Sequence, residues 1–98
     1  MTTTDIFLLT KPPISPRARL CRKLLEVSND ARIYLFGDGV YILLDEIASI
    51  LSGDRIYACR EDMMARGVIA GNKIIIPENF YVVMTGDIME SNNRVYVF

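Results

Sequence analysis

Short apolar runs alternate along this chain with segments that carry helix start and stop signals, and that alternation restricts the fold more than any other feature. The first run, Ile6 to Leu9, is closed by Lys11-Pro12-Pro13 and reads as a buried strand. Ser15-Pro16 then marks a helix start, with serine as N-cap and proline at the first helical position. Leu20, Leu24, Leu25 and Val27 form an apolar stripe on this helix, and Arg17, Arg19, Arg22 and Lys23 occupy much of the rest. Asn29-Asp30 ends it. Arg32 to Phe36 is a second strand, followed by a tight turn at Gly37-Asp38-Gly39 with Asp38 as N-cap. Val40, Leu43, Leu44, Ile47 and Leu51 then recur at helical spacing as far as Ser52-Gly53. Arg55 to Cys59 is the third strand, and Arg60 to Arg66 a short helix stopped by Gly67. Lys73 to Ile76 is the fourth strand, closed by Pro77. A helix from about Glu78 to Asp87 follows, buried through Phe80, Val83, Met84 and Ile88, and Arg94 to Phe98 is the last strand.

Strand and helix thus alternate from end to end. The pattern predicts one α/β domain over residues 1–98, a three-layer αβα arrangement around a mostly parallel five-stranded sheet. The strands lack strict polar alternation, as expected of a sheet buried on both faces. With 51% hydrophobic and 23% charged residues the chain can fill such a core.

Several function classes are excluded or disfavoured. A net charge of −1 gives no global basic field, so direct nucleic-acid binding is not expected. The longest unbroken apolar runs, Val40 to Leu44 and Phe80 to Met84, are far short of the roughly 20 residues of a membrane span. The first residues, Met-Thr-Thr-Thr-Asp, have neither the basic nor the apolar region of a secretory signal, which leaves the cytoplasm as the expected location. There, Cys21 and Cys59 are expected to be free thiols. The chain contains no histidine, which removes Ser-His-Asp and Cys-His catalysis and histidine-based zinc sites.

In open parallel α/β sheets ligands bind beyond the carboxyl ends of the strands. Thr10-Lys11, Gly37-Asp38-Gly39 and Cys59-Arg60 fall there and are expected on one rim. Cys59 is the candidate nucleophile: it ends a strand and precedes a helix whose N-terminus, together with Arg60, favours a thiolate. Glu61 and Asp62 oppose that by like charge. The alternative is a small half-buried cysteine that merely fits the strand end. Cys21, with Leu24 and Leu25 at i+3 and i+4, reads as a core residue. Gly37-Asp38-Gly39 is either a structural turn or a phosphate cradle of flavodoxin-like type, although it lacks the GxGxxG and P-loop patterns. The basic cluster on the first helix is either a solvated face or a dock for an acidic partner.

Two motifs carry a family resemblance. Phe36-Gly37-Asp38-Gly39-Val40 is similar to the "DGV" segment of the DsrH/TusB family, and Tyr57-Ala58-Cys59-Arg60-Glu61-Asp62-Met63-Met64-Ala65-Arg66-Gly67 resembles its "Y-A-x-x-x-D-x-x-A-R-G" signature. The spacing between them, the length and the element order match as well. The resemblance implies a DsrEFH-like fold and a role in sulfur relay, in tRNA 2-thiouridine synthesis or sulfur oxidation. It implies Cys59 as the catalytic persulfide-bearing thiol, with Arg60, Asp38, Asp62 and Arg66 supporting it or shaping the rim. TusB-like members usually carry an apolar residue at the position of Cys59, whereas DsrE/TusD-type subunits carry their cysteine at a matching distance before a related Arg-Gly pair. Some DsrH proteins have a cysteine near the position of Cys21, which makes it the second candidate thiol. The implied partners are DsrE/TusD-like and DsrF/TusC-like subunits or further copies of the chain, and a TusA-like sulfur carrier with a thiol. No metal or organic cofactor is expected, because the sulfur is carried covalently. The alternative within the family is a non-catalytic structural subunit of such an oligomer.

Overall fold

A computed structural model describes residues 3–44, 55–69 and 74–98. Four strands form one parallel sheet: β1 (Asp5–Leu9), β2 (Ala31–Leu35), β3 (Ile56–Ala58) and β4 (Arg94–Val97), in the spatial order β3-β2-β1-β4. Each pairing is parallel, with Leu9 opposite Leu35 and Leu35 opposite Ala58. The segment expected as a fifth strand contributes a single parallel bridge between Ile75 and Tyr57, held by Ala58 N–H to Ile75 O and Ile75 N–H to Ile56 O, both 2.9 Å. Pro77 lacks an N–H and cannot extend that ladder. Lys73 lies outside the described residues.

The first helix, α1 (Pro16–Val27), starts as its sequence dictates: the Ser15 side chain accepts from the Ala18 N–H at 3.1 Å, and Pro16 opens the first turn. Its buried stripe is Ala18, Cys21 and Leu25, which shares only Leu25 with the expected apolar stripe. Leu24 is half-buried, while Leu20 and Val27 face solvent. Small residues fill this face because the helix packs close against the sheet, so the phase is set by Ala18 and Cys21, not by the bulkiest side chains.

After β2 the chain forms a 3-10 helix (Gly37–Leu44) instead of opening an α-helix. Asp38 lies within it and does not act as an N-cap. Val40 and Ile42 are buried, Leu43 is half-buried and Leu44 is exposed. Ile47, Leu51 and the Ser52-Gly53 stop lie outside the described residues. Gly39 is obligatory: a Cβ there would sit 2.0 Å from the Leu9 carbonyl oxygen. Two further helices follow, α2 (Arg60–Ala65) and α3 (Phe80–Met89). Gly67, with φ +65°, turns the chain after α2 as expected.

Alternation along each strand splits the core in two. On one face Phe7, Leu9, Ile33, Leu35, Ile56 and Ala58 meet α1, the 3-10 helix and Met63 of α2. On the other, Ile6, Leu8, Tyr34 and Cys59 meet Phe80, with Val83, Met84 and Ile88 packed around them. The sheet is therefore covered on both faces, giving the three-layer αβα arrangement. A polar lock fixes α3 to its face. Asp87 accepts from the Arg32 guanidinium at 2.9 Å and from the Tyr34 hydroxyl, and burial of Tyr34 beside this carboxylate raises its pKa. Among the described residues no helix is long and apolar enough to cross a membrane.

Candidate functional site

Because β1, β2 and β3 are adjacent and parallel, the turns that leave them share one rim, as the strand-end argument requires. Backbone hydrogen bonds fix their relative positions. Phe36 N–H reaches Leu9 O at 3.2 Å, Cys59 N–H reaches Leu35 O at 3.0 Å, and Thr10 N–H reaches Phe98 O at 3.1 Å.

Cys59 is the N-cap of α2, in extended conformation, and its carbonyl receives the Met63 N–H at 3.0 Å. Its side chain belongs to the α3 side of the sheet, and the residue is only 2% exposed. The residue nevertheless lines a cleft of about 300 Å³. Glu61 and Asp62 form one wall, and Asn79, Phe80, Tyr81 and Val82 of the α3 start form the other. The thiol donates to Glu61 Oε2 at 3.4 Å. Burial pushes its pKa up; the Asp62 backbone N–H pulls it down, and the Glu61 and Asp62 carboxylates add to the rise. At neutral pH the resting group is thus the protonated thiol, not the helix-stabilised thiolate expected from sequence. Arg60 is exposed, and the polar contacts of the sulfur run to the acidic residues of α2 and to the Tyr81 side chain.

Asp62 has a structural duty. Its Oδ2 accepts the Gly37 N–H at 2.7 Å, tying the turn after β2 to the start of α2. Arg66 closes the same corner: its Nε donates to Asp38 Oδ1 at 2.9 Å, and it lies 3.6 Å from Asp62 Oδ1. Asp38 is the first cause of the raised Arg66 ionisation. Asp38, Asp62 and Arg66 therefore form one clamp across two turns. This weakens the phosphate-cradle reading, because the Gly37 N–H already has a carboxylate partner. Gly37 itself, with φ +55°, supplies the left-handed turn that aims this N–H.

Cys21 is elsewhere. It sits on α1 on the opposite face of the sheet, with no exposed surface, and burial pushes its thiol up to about 12. Arg17 of the basic cluster donates to the Val97 carbonyl at 3.0 Å, so that side chain anchors α1 to β4.

Sequence reasoning did not single out Tyr81. Its hydroxyl is held un-ionised first by burial and then by the neighbouring Cys59 sulfur and the two acids. No local signal could have found it, since only the crossover into α3 brings it to the cleft. Glu61 was legible only as an opposing charge, although its place two residues after an N-cap lets its carboxylate turn back to the cap. Among the described residues no group of three His, Cys, Asp or Glu side chains is placed to hold a metal ion.

No family model matches the chain, and no curated protein does. Among solved structures, the solution NMR structure of protein Tm0979 from Thermotoga maritima superposes with a TM-score of 0.58. The match covers 89% of this chain and 98% of that one at 21% identity. At that identity the likeness concerns the fold, and it agrees with the α/β arrangement of a parallel sheet flanked by helices described above.

Proposed function

We propose that this chain is a sulfur-relay protein of DsrH/TusB-like type, which takes up sulfane sulfur on Cys59 as a persulfide and passes it to a partner thiol. The observation that carries this reading is the thiol itself, fixed by backbone hydrogen bonds at a strand end and facing a cleft with room for a second sulfur. Uptake joins Cys59 Sγ to the terminal sulfur of a donor persulfide while the donor's S–S bond breaks. The donor leaves as a thiolate and takes up the proton that Cys59 has lost. Delivery is the same exchange with an acceptor thiolate attacking the outer sulfur. Neither step changes the total oxidation state, so neither needs a separate oxidant. The partners would be DsrE/TusD-like and DsrF/TusC-like subunits or further copies of this chain, with a TusA-like thiol carrier as donor or acceptor. The setting would be the reducing cytoplasm, in tRNA thiolation or sulfur oxidation.

A second reading has its own support. With Cys59 2% exposed and its pKa raised, the chain would be a non-catalytic subunit whose work is assembly. Intact-mass spectrometry after incubation with a persulfide donor separates the two. A gain of ~32 Da in the wild type, absent in Cys59→Ser and retained in Cys21→Ser, supports the carrier. No gain in the wild type supports the structural subunit.

A further inference from the structure

We propose that Glu61 is the proton acceptor that activates Cys59, a catalytic role that rests on the sulfur-carrier reading. The chain has no histidine, so a protonated thiol at this rim must lose its proton to another base. The geometry supplies one: the thiol donates to Glu61 Oε2 at 3.4 Å, and both residues line the cleft. The other titratable groups around the sulfur are less suited. The Asp62 carboxylate also interacts with the thiol, but it is engaged by the Gly37 N–H and Arg66. Tyr81, which also lines the cleft, is a phenol whose pKa is raised, which keeps it a hydrogen-bond donor. Glu78 is exposed at the rim, where the chain enters α3, and Arg60 is exposed beside the cap. From the sheet, Tyr34 is committed to Asp87 and Tyr57 is stacked on Tyr34.

The steps balance simply. Glu61 takes the Cys59 proton as Sγ forms its bond to the terminal sulfur of the donor. The donor's S–S bond breaks, and its leaving thiolate receives that proton from Glu61. The carboxylate thus stabilises the resting thiol and assists attack, two effects with opposite signs in a variant. If Glu61 acts only as a nearby negative charge, Glu61→Gln lowers the thiol pKa and speeds reaction at neutral and low pH. If it is the base, Glu61→Gln removes the low-pH path and leaves only the thiolate path.

The test is the iodoacetamide rate on the Cys59 peptide from pH 5.5 to 10, alongside persulfide loading. Glu61→Gln is expected to react about 100-fold more slowly at pH 6, the low end of what a positioned base contributes. At pH 10 it should equal or exceed the wild type. Glu61→Asp, which keeps the carboxylate, should retain part of the low-pH limb, and Glu78→Gln should retain all of it. Glu61→Gln reacting as fast as wild type or faster at pH 6 overturns the proposal. If the alkylation contrast holds but wild type takes up no sulfur, the sulfur-carrier reading fails while the pairing of Glu61 with Cys59 stands.

Discussion

Cys21 and Cys59 are held on opposite faces of the same four-stranded sheet, and both have a raised pKa. The causes differ. Burial alone acts on Cys21, which lies among Leu25, Ala18 and the strand side chains beneath α1. Cys59 responds to burial and also to named polar groups, and it opens on a cleft. A thiol sealed in a core does the work of a small hydrophobe. A thiol with a carboxylate at hydrogen-bond distance and space beside it can exchange its proton and bond a new atom. The difference teaches that burial by itself does not distinguish a structural cysteine from a reactive one; the partners and the adjoining space do.

The same substitution should separate the two sites most strongly. Cys21→Ser places a hydroxyl in an apolar core and is expected to cost about 2 kcal/mol of unfolding free energy. Cys59→Ser should stay within about 0.5 kcal/mol of wild type, because serine keeps the donor to Glu61 and is a favoured N-cap. Urea denaturation of both variants checks this, and equal losses would break the comparison.

Alkaline pH gives the next contrast. A thiol whose folded pKa is raised contributes stability that is present below its ordinary value of ~8.5 and is lost as pH rises beyond it, because only the unfolded chain then releases the proton. Cys21, pushed up to about 12, should cost the fold about 1.4 kcal/mol by pH 9.5. Cys21→Ala should remove that part of the alkaline slope, measured as unfolding free energy between pH 7 and 10 relative to wild type. An unchanged slope would show that Cys21 is less sealed than its packing implies.

The smallest effect concerns the clamp at the Cys59 rim. Asp62→Ala leaves the Gly37 N–H without its carboxylate and should destabilise the fold by about 1 kcal/mol. It should also loosen the rim, read as faster amide exchange at Gly37 and Cys59 with no change near Cys21.

The strand ends and the turn chemistry were legible in the sequence. Ser15-Pro16, Gly37 and Gly67 encode local backbone needs, and each does in the structure what its residue type dictates. Placing Cys59 at a rim shared with Thr10 and Gly37 also followed, because it depends only on strands being parallel and adjacent. Other features need the packed structure. The stripe on α1 depends on how closely the helix meets the sheet, which made Ala18 part of the core and left Leu20 outside it. The 3-10 course of Gly37–Leu44 depends on Gly39 fitting against the Leu9 carbonyl, a contact between distant segments. The protonated state of Cys59 depends on Phe80 and Tyr81, which arrive from α3. Helix N-terminus and charge counting alone, which pointed to a thiolate, omitted the burial that dominates.

The central claim is that Cys59, not Cys21, holds a transferable sulfur, and a chase experiment tests it most directly. Wild-type protein would be loaded from a persulfide donor, freed of that donor, and mixed with an acceptor protein thiol. The Cys59 peptide and the acceptor would then be followed by mass spectrometry. The account predicts ~32 Da on the Cys59 peptide, lost as the acceptor gains it, with the Cys21 peptide unmodified throughout. Sulfur on the Cys21 peptide, or a Cys59 peptide that never gains the added mass, would contradict it.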